Sequence, residues 1–207
     1  MSQHLIEAVK QAGSAQGLLL ATLALAQEAT ADAAPTLVEV LGFNNPGAAV
    51  AAVDGLIAIG EPAVGVLLEL DPRNYGARAW AVRALAGIGD RRGLPVLIDA
   101  LAHDVGPSVR RAAAKGLGQL HLDDLSESEQ LPLREQCLDA LVGACRDGEW
   151  VVRYAVAVGL EALALPLAAP NPQRQRASLA LGGLAANPGD EVPVVQLRAN
   201  LAVQRLS

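Results

Sequence analysis

The sequence predicts an all-α protein, a right-handed α-solenoid of about five degenerate helix pairs, and three observations predict it. Apolar residues fill 52% of the 207 positions, yet Phe, Trp and Tyr supply only 2%. A core must then form from Ala, Leu and Val at close spacing, which suits Ala-rich helices and not β-sandwiches. Five segments also share one form: a short apolar helix, a turn with Gly, Pro, Asn or Asp, and a longer Ala-rich helix. Finally, a small residue followed by Leu recurs at Gly55-Leu56, Ala84-Leu85, Gly116-Leu117 and Gly159-Leu160. The intervals of 29, 32 and 43 residues lie in and around the range of helical-pair repeats.

Residues 1–33 read as N-terminal helices. The apolar run Gly17–Ala26 looks like a signal-peptide core, with Ala-Leu-Ala before Gln27 as its cleavage site. Against that, the segment before it holds Glu7 and one basic residue, Lys10, and already has a helical pattern through Leu5, Ile6 and Val9. The run is also about half the length of a membrane span. A cytoplasmic protein whose first helix pair begins here, with no membrane insertion, is the expectation.

Residues 34–165 carry the core repeats. Their first helices, Pro35–Leu41, Pro62–Leu70 and Leu94–Leu101, place Pro in the first turn, where a missing N–H costs nothing. None is long enough to stand alone in water, so stacking must supply the stability. The second helices read Gly47–Gly60, Gly76–Gly89, Pro107–Leu120 and Glu149–Leu163, with a worn fifth copy from Val192 to Leu206. Gly55, Gly116 and Gly159 inside them cost roughly 1 kcal/mol each relative to Ala, and close helix contact is the expected return. The polar stretch from His121 to Gln130 reads as a loop before an extended first helix starting near Pro132. A second break, from Pro166 to Arg174, sets off residues 166–207 as a divergent C-terminal helix pair of a single 1–207 domain.

Sixteen Lys and Arg against 22 Asp and Glu give a net charge of -6. Such a surface repels a phosphate backbone, so nucleic acid is not an expected partner. Cys137 and Cys145 lie eight residues apart on one predicted helix, roughly 12 Å apart and beyond disulfide reach. They read as free thiols in a reducing compartment. Three His and two Cys are scattered without ligand spacing. No metal site, phosphate loop or Ser-His-Asp arrangement is legible.

Three stretches carry a resemblance: Asn44–Leu56 (NNPGAAVAAVDGL), Asn74–Asp90 (NYGARAWAVRALAGIGD) and Glu149–Tyr154 (EWVVRY). They resemble the F-type subunit of the heterodimeric E/F phycocyanobilin lyases, a family of HEAT-like repeat proteins, from about Pro35 to Leu165. That resemblance implies HEAT-like helix pairs, an E-type partner subunit, and phycocyanobilin as substrate, with no cofactor. It also implies attachment of the bilin, through a thioether, to a cysteine of the phycocyanin α subunit. Related subunits that also isomerise the bilin use a His-Cys pair in an insertion after the third repeat. Here that place reads Leu120-His121-Leu122-Asp123, without cysteine, which favours a lyase that does not isomerise. A HEAT adaptor or bilin chaperone that promotes no bond is the alternative.

A free bilin adds a thiol at its electrophilic ring-A ethylidene carbon, and the thiol belongs to the acceptor, so a lyase has to hold, orient and shield. Arg forks and aromatics on one surface are the features to seek. Arg78, Arg110 and Arg153 each lie six residues before the small-Leu pair of their repeat, and a solenoid stacks them in a row. Two readings are open: a basic row for propionates or an acidic partner surface, or arginines that bond a neighbouring repeat's loop carboxylate. Asn74 and Tyr75 mark one turn, and Tyr154 the start of another second helix; with the arginines they are the bilin- or partner-binding candidates. Trp80 and Trp150 fall on or near the apolar stripe and read as core. Asp104 and Glu149 precede second helices and are the catalytic candidates, because a carboxylate there would contact pyrrole N–H groups and favour the protonated, more electrophilic bilin. Stabilisation of a helix N-terminus is the simpler role for both. His103, next to Asp104, is a proton-donor candidate or a solvated loop residue, and Cys137, beside Leu138 and Leu141, is a transient thioether carrier of bilin or, more simply, a small buried hydrophobe.

Overall fold

The computed structural model describes residues 2–71, 73–186 and 193–207. Helices account for every regular element among them, and the chain divides into two compact units at the Gly93–Leu94 bond. The first unit contains α1 (Ser2–Lys10), α2 (Ala15–Glu28), α3 (Ala34–Leu41), α4 (Pro46–Ile59), α5 (Glu61–Leu68) and α6 (Tyr75–Ile88). The second contains α7 (Leu94–His103), α8 (Pro107–Leu117), α9 (Glu127–Gly143), α10 (Trp150–Ala164), α11 (Pro172–Ala185) and α12 (Pro193–Leu206). Consecutive helices pack as pairs, and α1 with α2 forms a pair ahead of the five repeats read from the sequence.

Side-chain caps start the three second helices of the first unit. Ser14 accepts from Gly17 N (3.0 Å), Asn45 from Ala48 N (3.1 Å) and Asn74 from Ala77 N (3.2 Å), each satisfying an N–H that the helix itself leaves unpaired. Asn45 also donates to Ala15 O (2.9 Å), tying the start of α4 to the start of α2. Gly60 and Gly89 end their helices with φ of 74° and 72°, a conformation that other residues enter at a cost.

Within each unit the second helices form the tighter row, α2–α4–α6 and α8–α10–α12, while the first helices touch one another more sparsely. Glycine permits the close row where it was expected at Gly55 and Gly159. A Cβ on Gly55 would lie 2.7 Å from Ala26 Cβ, and one on Gly159 would lie 2.5 Å from Ala114 O. The core is correspondingly aliphatic, with Leu37, Leu56 and Leu85 fully buried in the first unit and Leu117, Leu141 and Leu160 in the second.

Three local expectations change. Helix α9 begins at Glu127, not near Pro132, because Ser126 and Glu129 form a reciprocal capping box, with Ser126 N donating to Glu129 Oε2 (3.0 Å). Pro132 is carried inside the helix, and the carbonyl it leaves without an N–H belongs to the exposed Ser128. The two cysteines do not share a helix: α9 stops at Gly143, and Cys145 sits in the 3-10 turn Ala144–Arg146, with both thiols free. Trp150, the first residue of α10, is 42% exposed: its side chain leans toward the N-terminus, where α10 has no preceding turn to cover. Trp80 is half-buried, with the Arg83 guanidinium 4.5 Å from its ring centroid.

A buried ion cluster closes the C-terminal pair. Glu161 on α10 accepts from Arg198 and from Arg205 (3.0 Å) on α12. Burial opposes ionisation of Glu161, but the two arginines outweigh it and hold the carboxyl below the usual glutamate range. Among the described residues no helix is long and apolar enough to cross a membrane.

Candidate functional site

Two turns of the second unit are built to one plan. In the turn between α7 and α8, Asp104 Oδ1 accepts from Gly106 N (2.8 Å); in the turn before α10, Asp147 Oδ1 accepts from Glu149 N (2.9 Å). Six residues past each aspartate an arginine reaches back over its own turn. Arg110 Nη1 donates to Asp104 O (2.9 Å) and Val105 O (3.1 Å), and Arg153 Nη1 donates to Asp147 O (2.7 Å) and Gly148 O (3.1 Å). The remaining fork of Arg110 spans to the next repeat, Nε to Asp147 Oδ2 (2.7 Å) and Nη2 to Asp147 Oδ1 (2.9 Å). Asp147 is therefore the node that brings Arg110 and Arg153 together.

This clasp is largely out of water, with side chains 15% and 10% exposed for Arg110 and Asp147. Burial pushes the Asp147 carboxyl up, but the Arg110 fork and the Glu149 N–H outweigh it and hold the group below the ordinary aspartate range. Asp147 also raises Arg110 further above its usual value. A bidentate Arg–carboxylate pair fixes orientation as well as charge, so the turns are held rigidly.

The candidate residues fall as follows. Asp104 is 4% exposed, its carboxylate turned to the Gly106 N–H, and Glu149 is exposed at the N-cap of α10 without a side-chain cap bond. Tyr154 is half-buried on α10. On the first unit Asn74 caps α6, Tyr75 is exposed, and Arg78 is half-buried. His103 pairs with Asp99 (3.0 Å) on the exposed side of α7. What sequence reasoning missed is Asp147 itself, and the signal was available in the repeated interval of six residues from Asp104 to Arg110 and from Asp147 to Arg153. Val105, 77% exposed, and Trp150 stand beside the two clasped turns. Among the described residues no group of three or more His, Cys, Asp or Glu is placed to hold a metal ion.

The HEAT-repeat family profile matches residues 65–133. Over 209 aligned residues the chain is 49% identical to the phycobilisome maturation protein of Synechococcus elongatus, covering 100% of this chain and 99% of that relative. It is 53% identical over 163 residues to the phycocyanin alpha phycocyanobilin lyase CpcF of Synechocystis, covering 78% of this chain and 76% of that protein. The chain belongs to the CpcF-type phycocyanobilin lyase subunit family. A solved complex of CpcE and CpcF of phycocyanin lyase from Nostoc contains a chain of the same fold, with a TM-score of 0.73 and 43% identity over 83% of this chain and 98% of that one. Membership of the CpcF-type family agrees with the α-solenoid read from the repeat, and the clasped turns lie in a region shared with these relatives.

Proposed function

We propose that this chain is the F-type (β) subunit of a heterodimeric phycocyanobilin lyase. With an E-type HEAT-repeat partner it binds phycocyanobilin and promotes thioether attachment to a cysteine of the phycocyanin α subunit. The observation that carries this reading is the 53% identity to a phycocyanin alpha phycocyanobilin lyase, joined to the match with a CpcE–CpcF complex.

The chemistry of the chain is consistent with holding and orienting. Burial pushes Cys137 up to about 12 and Cys145 up to about 11, so neither is a thiolate at neutral pH, and the attacking sulfur is the acceptor's. In this reading Arg110, Arg153 and Asp104 position the turns that present Glu149, Trp150 and Tyr154 to a protein partner, and Asn74, Tyr75 and Arg78 do the same on the first unit. Two free thiols fit a reducing cytoplasm.

Co-expression of this chain with phycocyanobilin and the phycocyanin α subunit, with and without an E-type partner, tests the assignment. Zinc-enhanced fluorescence after denaturing electrophoresis is expected to show a bilin-bearing α subunit only when both lyase chains are present. A covalent band indifferent to this chain would instead favour a HEAT adaptor or bilin chaperone.

A further inference from the structure

A concavity borders the turn before α10, between the first helices of the last two pairs. Near their starts α9 and α11 are held together: Gln173 donates to Leu131 O (3.1 Å) and Glu135 (2.7 Å), and Arg176 bridges Glu135 and Asp139, at 2.6 Å each. Farther along the seam opens into a groove of about 700 Å3, lined by Val142, Gly143, Cys145, Arg146, Ala180 and Gly183 among others. A second groove of about 420 Å3 between α7 and α9 shares Gly143 and Arg146. Both volumes fall in the range of roughly 300–1,000 Å3 typical of small-molecule sites.

Arg146 stands on the ridge between these grooves. It is exposed and has no hydrogen-bond or ion-pair partner among the described residues. The acids on the wall of the second groove are already matched, Asp139 by Arg176 and Asp147 by Arg110. The ridge thus sets an uncompensated guanidinium above floors of small and aliphatic side chains. Openness is written into the sequence: a Cβ added at Gly143 or Gly183 would meet nothing within 4 Å.

We propose that the groove between α9 and α11 is a non-covalent seat for phycocyanobilin, with the flat conjugated face on the small residues and a propionate on Arg146. This inference rests on the lyase reading above and assigns the substrate a place on this chain. A planar tetrapyrrole needs a shallow apolar floor, which Gly143, Ala180 and Gly183 supply, and its carboxylates need a cation with free donors, which Arg146 supplies. Cys145 borders the groove with its S–H directed to Leu141 O (3.6 Å) and its pKa pushed up by burial. A thiol held in the protonated state leaves the bilin free to pass on to the acceptor.

Titration of phycocyanobilin into the complex of this chain with its E-type partner, without acceptor, tests the seat by bilin absorbance and induced circular dichroism. Arg146→Gln and Gly183→Phe are each expected to weaken binding at least tenfold, and Arg146→Lys to weaken it less. Gly182→Phe, on the same helix outside the groove and with equally open surroundings, is expected to bind like the parent. Denaturing electrophoresis of the parent complex is expected to release the bilin from this chain. Parent-like affinity in both Arg146→Gln and Gly183→Phe would overturn the seat, as would bilin covalently retained on Cys145. If those variants bind normally while the parent complex loads phycocyanin α, the groove fails and the lyase reading survives. Arg146-dependent binding without any loading would do the reverse.

Discussion

Two seams of the C-terminal unit use glycine in opposite ways. Between α8 and α10, Gly118 and Gly159 stand back to back, and a Cβ on Gly118 would lie 2.4 Å from Gly159 Cα. Between α9 and α11, Gly143 and Gly183 border empty space. The first seam is closed further by the Arg110–Asp147 clasp, and Glu161 extends the closed row to α12. A helix-pair repeat that packs its second helices tightly leaves its first helices farther apart, and the small residues there make a surface instead of a contact. Composition alone cannot separate these two uses of glycine, and substitutions in both seams measure the difference.

The largest effect is expected from Glu161→Ala, which strands the largely buried Arg198, whose Nη1 already lacks a hydrogen-bond partner among the described residues. Removing one member of a buried ion pair costs about 3–5 kcal/mol, read by urea denaturation. The same group gives the closed row its acid sensitivity. With its folded pKa held below the ordinary glutamate value of 4.5, Glu161 contributes stability that is present above that value and lost as pH falls through the folded pKa. Glu161→Gln is therefore expected to flatten the stability profile below about pH 4.5; a profile unchanged from the parent would remove Glu161 from the account.

Next comes Arg110→Ala, which leaves Asp147 without its fork and removes the Nη1 donor shared by Asp104 O and Val105 O. A loss of about 2–3 kcal/mol follows for hydrogen bonds to a charged partner, and a double-mutant cycle with Asp147→Ala isolates the pair. Lost bilin transfer at unchanged thermal stability would mean that Arg110 touches substrate or partner directly. Gly159→Ala is expected to cost about 1–3 kcal/mol, since α8 and α10 must move apart. Gly183→Ala marks the other end of the scale: with no neighbour to displace, helix propensity is expected to raise stability by up to about 1 kcal/mol. Equal and opposite results at the two glycines would sharpen the contrast between the seams; similar costs at both would break it.

The aliphatic period fixed the second helices to within a few residues, because an Ala- and Leu-rich stripe has one way to be buried. The start of α9 was misread because Ser126 and Glu129 act through a reciprocal hydrogen bond that outranks the proline six residues into the helix. Trp150 was misread for a related reason: an apolar period assigns a face, whereas exposure at a helix start depends on where the stack ends. The arginine register was legible as a spacing, and one of its two open readings, a bond to the next repeat's carboxylate, is the one Arg110 makes. Its partner Asp147 lies 37 residues away; the six-residue interval marks that aspartate but does not say that Arg110 pairs with it.

The sequence by itself determined that this chain is helical, repetitive, acidic and similar to the F-type lyase subunits, because periodicity, composition and local motifs are properties of neighbouring residues. Only the tertiary structure decided what each arginine meets, and which glycines close a seam and which open one. Those outcomes depend on what each side chain meets across the stack, and stacking sets distances between residues that the chain keeps far apart.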